Sequence, residues 1–224
     1  TNYEEVCIRS RKLGSALEKD GVKKGDVVAT LALNTYRHLE MYYGISGMGA
    51  ITHTLNFRLH PEQAIYIINH AEDKIIFVEL PFVPILEGLQ DKLSTVEKYI
   101  VLCEQSEMPE TSLKNVISYE EYIKDGDENY DWPELDDDAA CALCYTSGTT
   151  GNPKGVLYSH KSNVIHAQAA LTAMTIKPDD SILMVVPLFH VLAWGIPYFG
   201  PMNGLKLVMP GMQMEGEPLY ELID

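Results

Sequence analysis

The chain is short of positive charge, of cysteine and of long apolar runs. Its 224 residues carry 17 Lys+Arg against 32 Asp+Glu, a formal net charge of -15. Nucleic acids and anionic membrane surfaces would therefore repel it, so neither is an expected partner. Four cysteines, at positions 7, 103, 141 and 144, are too few and too scattered for a disulfide framework in a chain of this size. Cys141-Ala142-Leu143-Cys144 has CxxC form, but neither a second CxxC nor a His pair at ligand spacing accompanies it. The segment reads as a strand, where residues three apart face opposite sides, so both thiols are expected to be structural. There is no stretch of about 18 apolar residues, and Thr1–Asp20 lacks the basic-then-apolar order of a signal peptide. A transmembrane segment is thus not expected, and a cytoplasmic setting is. Internal repeats and low-complexity tracts are also missing. The first residue is Thr1, inside what reads as a helix, so an earlier N-terminal segment is expected.

What is present is 46% hydrophobic residues, enough for a substantial core, in an order that alternates helix and strand. Val6, Leu13 and Leu17 give Tyr3–Lys19 helical spacing, ended before Gly21. Val27–Leu33 reads as a buried strand, Tyr36–Met48 as a helix and Ile51–Leu55 as a strand. Pro61 opens a helix to about His70, followed by strand Lys74–Glu79, a helix around Val83–Leu93 and strand Tyr99–Leu102. The alternation predicts an α/β fold with mainly parallel sheets covered by helices, whose ligands lie at the carboxyl ends of the strands. Glu104–Asp138 is the most polar stretch; apart from a short helix at Tyr119–Lys124 it reads as a surface connection. Its Asp136-Asp137-Asp138 run is more naturally a solvated loop end than a metal site. Three parts are expected: 1–103 as a first α/β portion, 104–138 as the connection, and 139–224. The last holds strand Ala139–Tyr145, strand Val156–Tyr158, helix Lys161–Thr175, strand Ile182–Val186, a long apolar helix from Val191 to Met202, Leu205–Met209, and a helix starting at Pro218.

Between the first two of those strands lies Tyr145-Thr146-Ser147-Gly148-Thr149-Thr150-Gly151-Asn152-Pro153-Lys154-Gly155-Val156. Glycines 148, 151 and 155 let the backbone turn and offer N–H groups to an anion. Thr146, Ser147, Thr149 and Thr150 add hydroxyls, and Lys154 adds a compact positive charge. A Walker A loop would read G-x-x-x-x-G-K-[ST]; here no hydroxyl follows the lysine, so that reading fails. A second constellation, Pro187-Leu188-Phe189-His190-Val191-Leu192-Ala193-Trp194, places one histidine and one tryptophan in an apolar stretch after a strand. His190 at the head of a helix can orient a carboxylate, and Trp194, four residues on, is expected on the same helical face.

The first of these motifs resembles the signature phosphate loop of the adenylate-forming superfamily. With the Pro-x-Phe-His-Val-x-x-Trp segment, the chain looks like a fatty-acyl-CoA synthetase. Leu55-Asn56-Phe57-Arg58-Leu59 through Asn69-His70-Ala71-Glu72-Asp73 is similar to the family's earlier Asn-Pro-Arg-Leu segment, departing at Phe57, where proline is common. The resemblance spans nearly the whole chain. It implies a large but incomplete N-terminal AMP-binding domain, because family members run to more than twice this length. The adenine-stacking segment, a metal-binding glutamate, a ribose-binding aspartate and the C-terminal domain with its lysine are absent from 1–224.

By resemblance, the full parent would activate a medium- or long-chain carboxylic acid with ATP and Mg2+ to acyl-AMP, then form the thioester with coenzyme A. Thr146, Ser147, Gly148, Thr149, Thr150, Gly151 and Lys154 would hold the phosphates, with Thr146 near the metal. His190 and Lys154 would be catalytic. His190, Val191 and Trp194 would contact the acid, Trp194 closing or opening the path of the acyl chain. The implied partners are the acid, ATP and CoA, with a homodimer allowed, and the 224 residues alone are expected to be inactive. The alternatives are a ligase for an aromatic or short-chain acid, and a noncatalytic nucleotide- or acyl-binding module.

Overall fold

Helix α1 (Tyr3–Lys19) starts where Asn2 and Glu5 form a reciprocal capping box, and it turns Val6, Leu13 and Leu17 inward. Strand β1 (Val27–Leu31), helix α2 (Tyr36–Gly47) and strand β2 (Ile51–Thr54) follow. Next come α3 (Pro61–Ala71), β3 (Ile75–Val78), α4 (Val83–Leu89), β4 (Lys98–Val101), β5 (Val116–Ser118) and α5 (Tyr119–Ile123). The chain continues through β6 (Ala140–Thr146), β7 (Lys154–Ser159), α6 (His160–Ala173), β8 (Ser181–Leu183), α7 (Ile196–Met202), β9 (Lys206–Val208) and α8 (Gly216–Glu221). This is a computed structural model, and it describes residues 1–146 and 152–223.

The main sheet has seven strands in the order β5-β4-β3-β1-β2-β6-β7. All its neighbours run parallel except β7, which returns antiparallel along β6. A parallel pair, β8 and β9, forms a second, smaller sheet. The mainly parallel α/β architecture is therefore the one expected. Period-2 alternation sends Ala29, Ile76 and Val78 to one face, packed with Ile67 and Ile68 of α3 and Leu86 of α4. Val28, Phe77 and Ile100 go to the other, against Leu13 and Leu17 of α1 and Met41 and Ile45 of α2. A third cluster joins β6 to α6, α7 and the second sheet through Cys144, Ala167, Met184, Leu188 and Phe199.

Three expectations need correction. Glu104–Asp138 is more than a surface connection: it supplies the unexpected edge strand β5, and the short helix expected at Tyr119–Lys124, found as α5, buries Tyr119 and Ile123. Trp132 also packs there, so closely against Gly14 and Gly47 that a Cβ at either would approach its ring to 2.7 or 2.9 Å. The long helix expected over Val191–Met202 begins only at Ile196. Finally, a β-bulge between Ala140 and Ala142 breaks the alternation of β6, and Cys141 and Cys144 enter the same apolar cluster. They remain free thiols, both pushed up by burial.

A buried polar network ties α1, α2 and α5 together. The fully buried Glu40 carboxylate accepts from Arg9 Nε (2.7 Å) and Tyr119 Oη (2.8 Å). Arg9 also forks onto Glu120 at 2.8 and 2.9 Å, and Arg37 Nε reaches the same carboxylate at 2.9 Å. Burial raises both carboxyls. At Glu120 the two arginines prevail and hold it below its ordinary value, whereas Glu40 stays raised.

Candidate functional site

Strands β6 and β7 form a hairpin that opens at the carboxyl end of the main sheet. Thr146, the last residue of β6, is the register partner of Lys154, the first of β7, and both are exposed. A hydroxyl and an ammonium thus flank the hairpin mouth, which suits a polyphosphate. Ser147, Gly148, Thr149, Thr150 and Gly151 lie outside the described residues. Gly155 has a different role from the one expected: it is a strand residue opposite Tyr145, where a Cβ would come within 3.0 Å of Leu143 and 3.3 Å of the Tyr145 ring. Its missing side chain makes room for packing.

The second constellation reaches the same edge of the sheet from β8. Its exit segment, Met184–Leu188, is held by Asn34, which follows β1: Nδ2 donates to the Met184 and Val186 carbonyls (2.7 and 2.9 Å), and Oδ1 accepts from Leu188 N–H (2.8 Å). Tyr42 of α2 donates its hydroxyl to the Leu188 carbonyl at 2.5 Å. The Phe189 ring meets Phe57 edge-on at 5.0 Å, and Phe57 stacks on Phe82 at 4.5 Å.

The chain then makes a left-handed turn. Val191, Leu192, Ala193 and Trp194 have φ between 46° and 55°, and Gly195 has φ 82°. L-residues pay about 1 kcal/mol or more each for this conformation, and for β-branched Val191 it is an outlier. Surrounding contacts maintain it. Leu192 and Ala193 are buried in the same apolar cluster as Cys144, two residues before Thr146. His166 Nε2 of α6 donates to the Trp194 carbonyl at 3.1 Å. Gly195 is required twice over, by its positive φ and because a Cβ would lie 2.6 Å from the His166 ring.

His190, Val191 and Trp194 are all exposed, Trp194 at 60%. His190 and Trp194 do not share a helical face, since no right-handed turn joins them. What brings the two constellations together is the buried cluster that Leu192 and Ala193 share with Cys144. Leu192 and Ala193 point into the core, and Val191 and Trp194 point out.

Sequence reasoning missed the residues that support this edge: Asn34, Tyr42, His166 and a buried pair, His53 and Asp73. His53 Nδ1 lies 2.9 Å from the Asp73 carboxylate, both fully buried, and burial raises Asp73 despite the histidine. His53 Nε2 has no hydrogen-bond partner among the described residues. The His53 ring lies 5.1 Å from that of Tyr145, whose hydroxyl is bonded to His70 at 2.6 Å. Tyr145 directly precedes Thr146, so this polar group underlies the root of the hairpin mouth. The available signal was a histidine inside strand β2 and an aspartate in the short connection just before the apolar strand β3.

For a metal, Thr146 offers one hydroxyl. Among the described residues no group of three or more His, Cys, Asp or Glu is placed to hold an ion. Asp136 caps Asp138 N–H (2.8 Å), and Asp138 pairs with Lys161 at 3.5 Å, so that acidic run acts locally. Among the described residues no helix is long and apolar enough to cross a membrane.

The family of AMP-binding enzymes matches this chain over residues 1–224. The 3-methylmercaptopropionyl-CoA ligase of Ruegeria pomeroyi is 47% identical over 226 residues, covering 100% of this chain and 42% of the relative. The medium-chain-fatty-acid–CoA ligase of Ectopseudomonas oleovorans is also 47% identical, covering 99% and 41%. The solved N-terminal domain of FACL13 from Mycobacterium tuberculosis superposes with a TM-score of 0.84 at 25% identity, over 99% of this chain and 52% of that one. The chain thus spans about two fifths of the length of the curated relatives it matches.

Proposed function

The chain belongs to the AMP-binding enzymes, and from that premise we propose that it supplies the phosphate-holding hairpin and one wall of the acid site of an AMP-forming acyl-CoA ligase. The observation that carries this is the meeting of two chemistries at one sheet edge. Thr146 and Lys154 flank the hairpin mouth, and the turn after His190 packs Leu192 and Ala193 into the buried cluster that holds Cys144 of the same strand.

The reaction such a site serves begins with attack of a carboxylate oxygen on the α-phosphorus of ATP. That bond forms as the bond to pyrophosphate breaks, giving an acyl-AMP; the thiol of CoA then displaces AMP. Two anions must approach, so positioning and charge stabilisation dominate over proton transfer. Lys154 lends its ammonium to the β- and γ-phosphates, in a chain whose net charge would otherwise repel them. Ser147–Gly151 contribute hydroxyls and N–H groups. Thr146 would give a magnesium ion one oxygen ligand, the others coming from phosphates and water; when bound, that ion would neutralise charge on the phosphates. His190 orients the acid's carboxylate, and Val191 and Trp194, exposed beside it, line the path of its tail.

The acid is proposed to be a medium- or long-chain fatty acid, on the strength of that apolar wall and the medium-chain relative. A short thioether acid is the competing reading, favoured by the equally similar Ruegeria relative. A pyrophosphate-release assay on the full-length protein decides between them, using octanoate, palmitate, 3-methylmercaptopropionate, acetate and benzoate. Release with octanoate or palmitate well above the others is expected. Preference for the thioether acid, acetate or benzoate overturns the chain-length assignment, and no acid-dependent release overturns the ligase reading.

A further inference from the structure

Resting on the proposed role of His190, we infer that Asn34 is a positioning residue for the acid site, with Tyr42 as its second point of attachment. The segment between β8 and the left-handed turn lies beyond the β8–β9 ladder, which ends with Leu183 opposite Val208 and one further bond from Met184 N–H to the Val208 carbonyl. Its next backbone groups turn to side chains of the β1–α2 unit. Asn34 takes the carbonyls of Met184 and Val186 and the N–H of Leu188, and Tyr42 takes the Leu188 carbonyl. Residue 187 is proline and has no N–H to place.

Asn34 is 4% exposed and Tyr42 is fully buried, so neither bond competes with bulk water. The Asn34 amide uses both N–H donors and its oxygen, which fixes its orientation: a flipped amide would set donor against donor. Its main-chain carbonyl also accepts from Gly211 N–H at 3.1 Å. Side chains some 150 residues away in sequence thus fix the exit segment up to Leu188, two residues before His190. Loss of this tether displaces His190 while leaving Thr146 and Lys154 on their own strands.

The prediction therefore separates the two substrates. In the full-length enzyme, Asn34→Asp sets a carboxylate against two carbonyl oxygens with similar volume. We expect KM for the acid to rise by about tenfold or more, with KM for ATP changed less than about twofold, as a displaced orienting group requires. Hydrogen-exchange mass spectrometry should show faster exchange confined to peptides covering 184–195. Tyr42→Phe, which removes one bond only, should act in the same direction and more weakly.

Unchanged exchange in 184–195, or KM values for acid and ATP that rise together, would overturn the proposal by marking Asn34 as general scaffold. Should Asn34→Asp fail to fold, Tyr42→Phe decides by the same two readouts. Exchange is measured without turnover. If the unaltered enzyme uses no acid at all, the ligase reading fails, and the positioning role inferred for Asn34 fails with it. Local loosening would still show that the bonds hold the segment.

Discussion

The five-strand unit β1–β5 and the region from β6 to α8 are built differently. In the first, strands bury both faces, Glu40, Arg9 and Glu120 satisfy one another, and the apolar residues lie mostly inside. In the second, Leu157, Ile165, Trp194 and Met212 are 56–68% exposed, and four consecutive non-glycine residues take left-handed backbone. Side chains of the first region supply part of the hold on the second: Asn34 and Tyr42 bind the segment before the turn, and Tyr43 donates to the Pro197 carbonyl at 2.6 Å. Strain is tolerated where neighbouring structure over-determines it, and such places cluster at functional sites. The comparison therefore assigns stability to one region and chemistry to the other, and substitutions can break it.

The largest effect should come from the scaffold. Glu40→Ala leaves Arg9 and Tyr119 without their shared acceptor in the interior and should cost about 3–5 kcal/mol of stability, read from urea unfolding. A loss below about 1 kcal/mol would mean that the network is dispensable.

Next comes Glu79, after β3, whose carboxyl is pushed up by burial to about 7 from an ordinary value of 4.5, against the Leu33 N–H and Arg37, which lower it. A raised value means that the folded chain holds the proton more tightly. Its contribution to stability is therefore full below about 4.5 and is lost as pH rises through about 7. Glu79→Gln removes that loss and should stabilise the protein at pH 8 by up to about 3 kcal/mol, and hardly at all at pH 4. Equal effects at both pH values would contradict the assignment.

In the strained region, Gly195→Ala should cost about 2 kcal/mol, from the positive φ and the His166 contact. It should also alter use of the acid more than use of ATP. If stability falls without a change in acid kinetics, the turn is structural. Trp194→Ala should change stability by less than about 0.5 kcal/mol, since the side chain is largely exposed, while shifting the preferred acyl length in the release assay.

The two regions also differed in legibility. Tyr3–Lys19 was readable to the residue because capping, period and terminator agree. Strands β1, β3 and β4 were readable from their apolar runs, and β2 as a short strand from Ile51 to Leu55. Strand β5 was not, being three residues long and preceded by polar sequence, and the burial of Tyr119 was hidden by the glutamates beside it. Residues 191–194 read as helix because nothing local marks an apolar run as left-handed; the bonds of Asn34 and His166 and packing against Cys144 impose that from elsewhere in the sequence. At the hairpin mouth, composition revealed the phosphate chemistry, whereas the place of Lys154 and Gly155 in a strand opposite β6 depended on tertiary pairing.

The central claim, that the mouth of the β6–β7 hairpin holds phosphate, is tested most directly by Lys154→Ala in the full-length protein, with melting temperature and acid-dependent pyrophosphate release measured together. The exposed lysine at the start of β7 should contribute little to stability, so the melting temperature should stay within about 2 °C while release slows about a hundredfold. A melting temperature several degrees lower with an unchanged rate would make Lys154 structural and contradict the account.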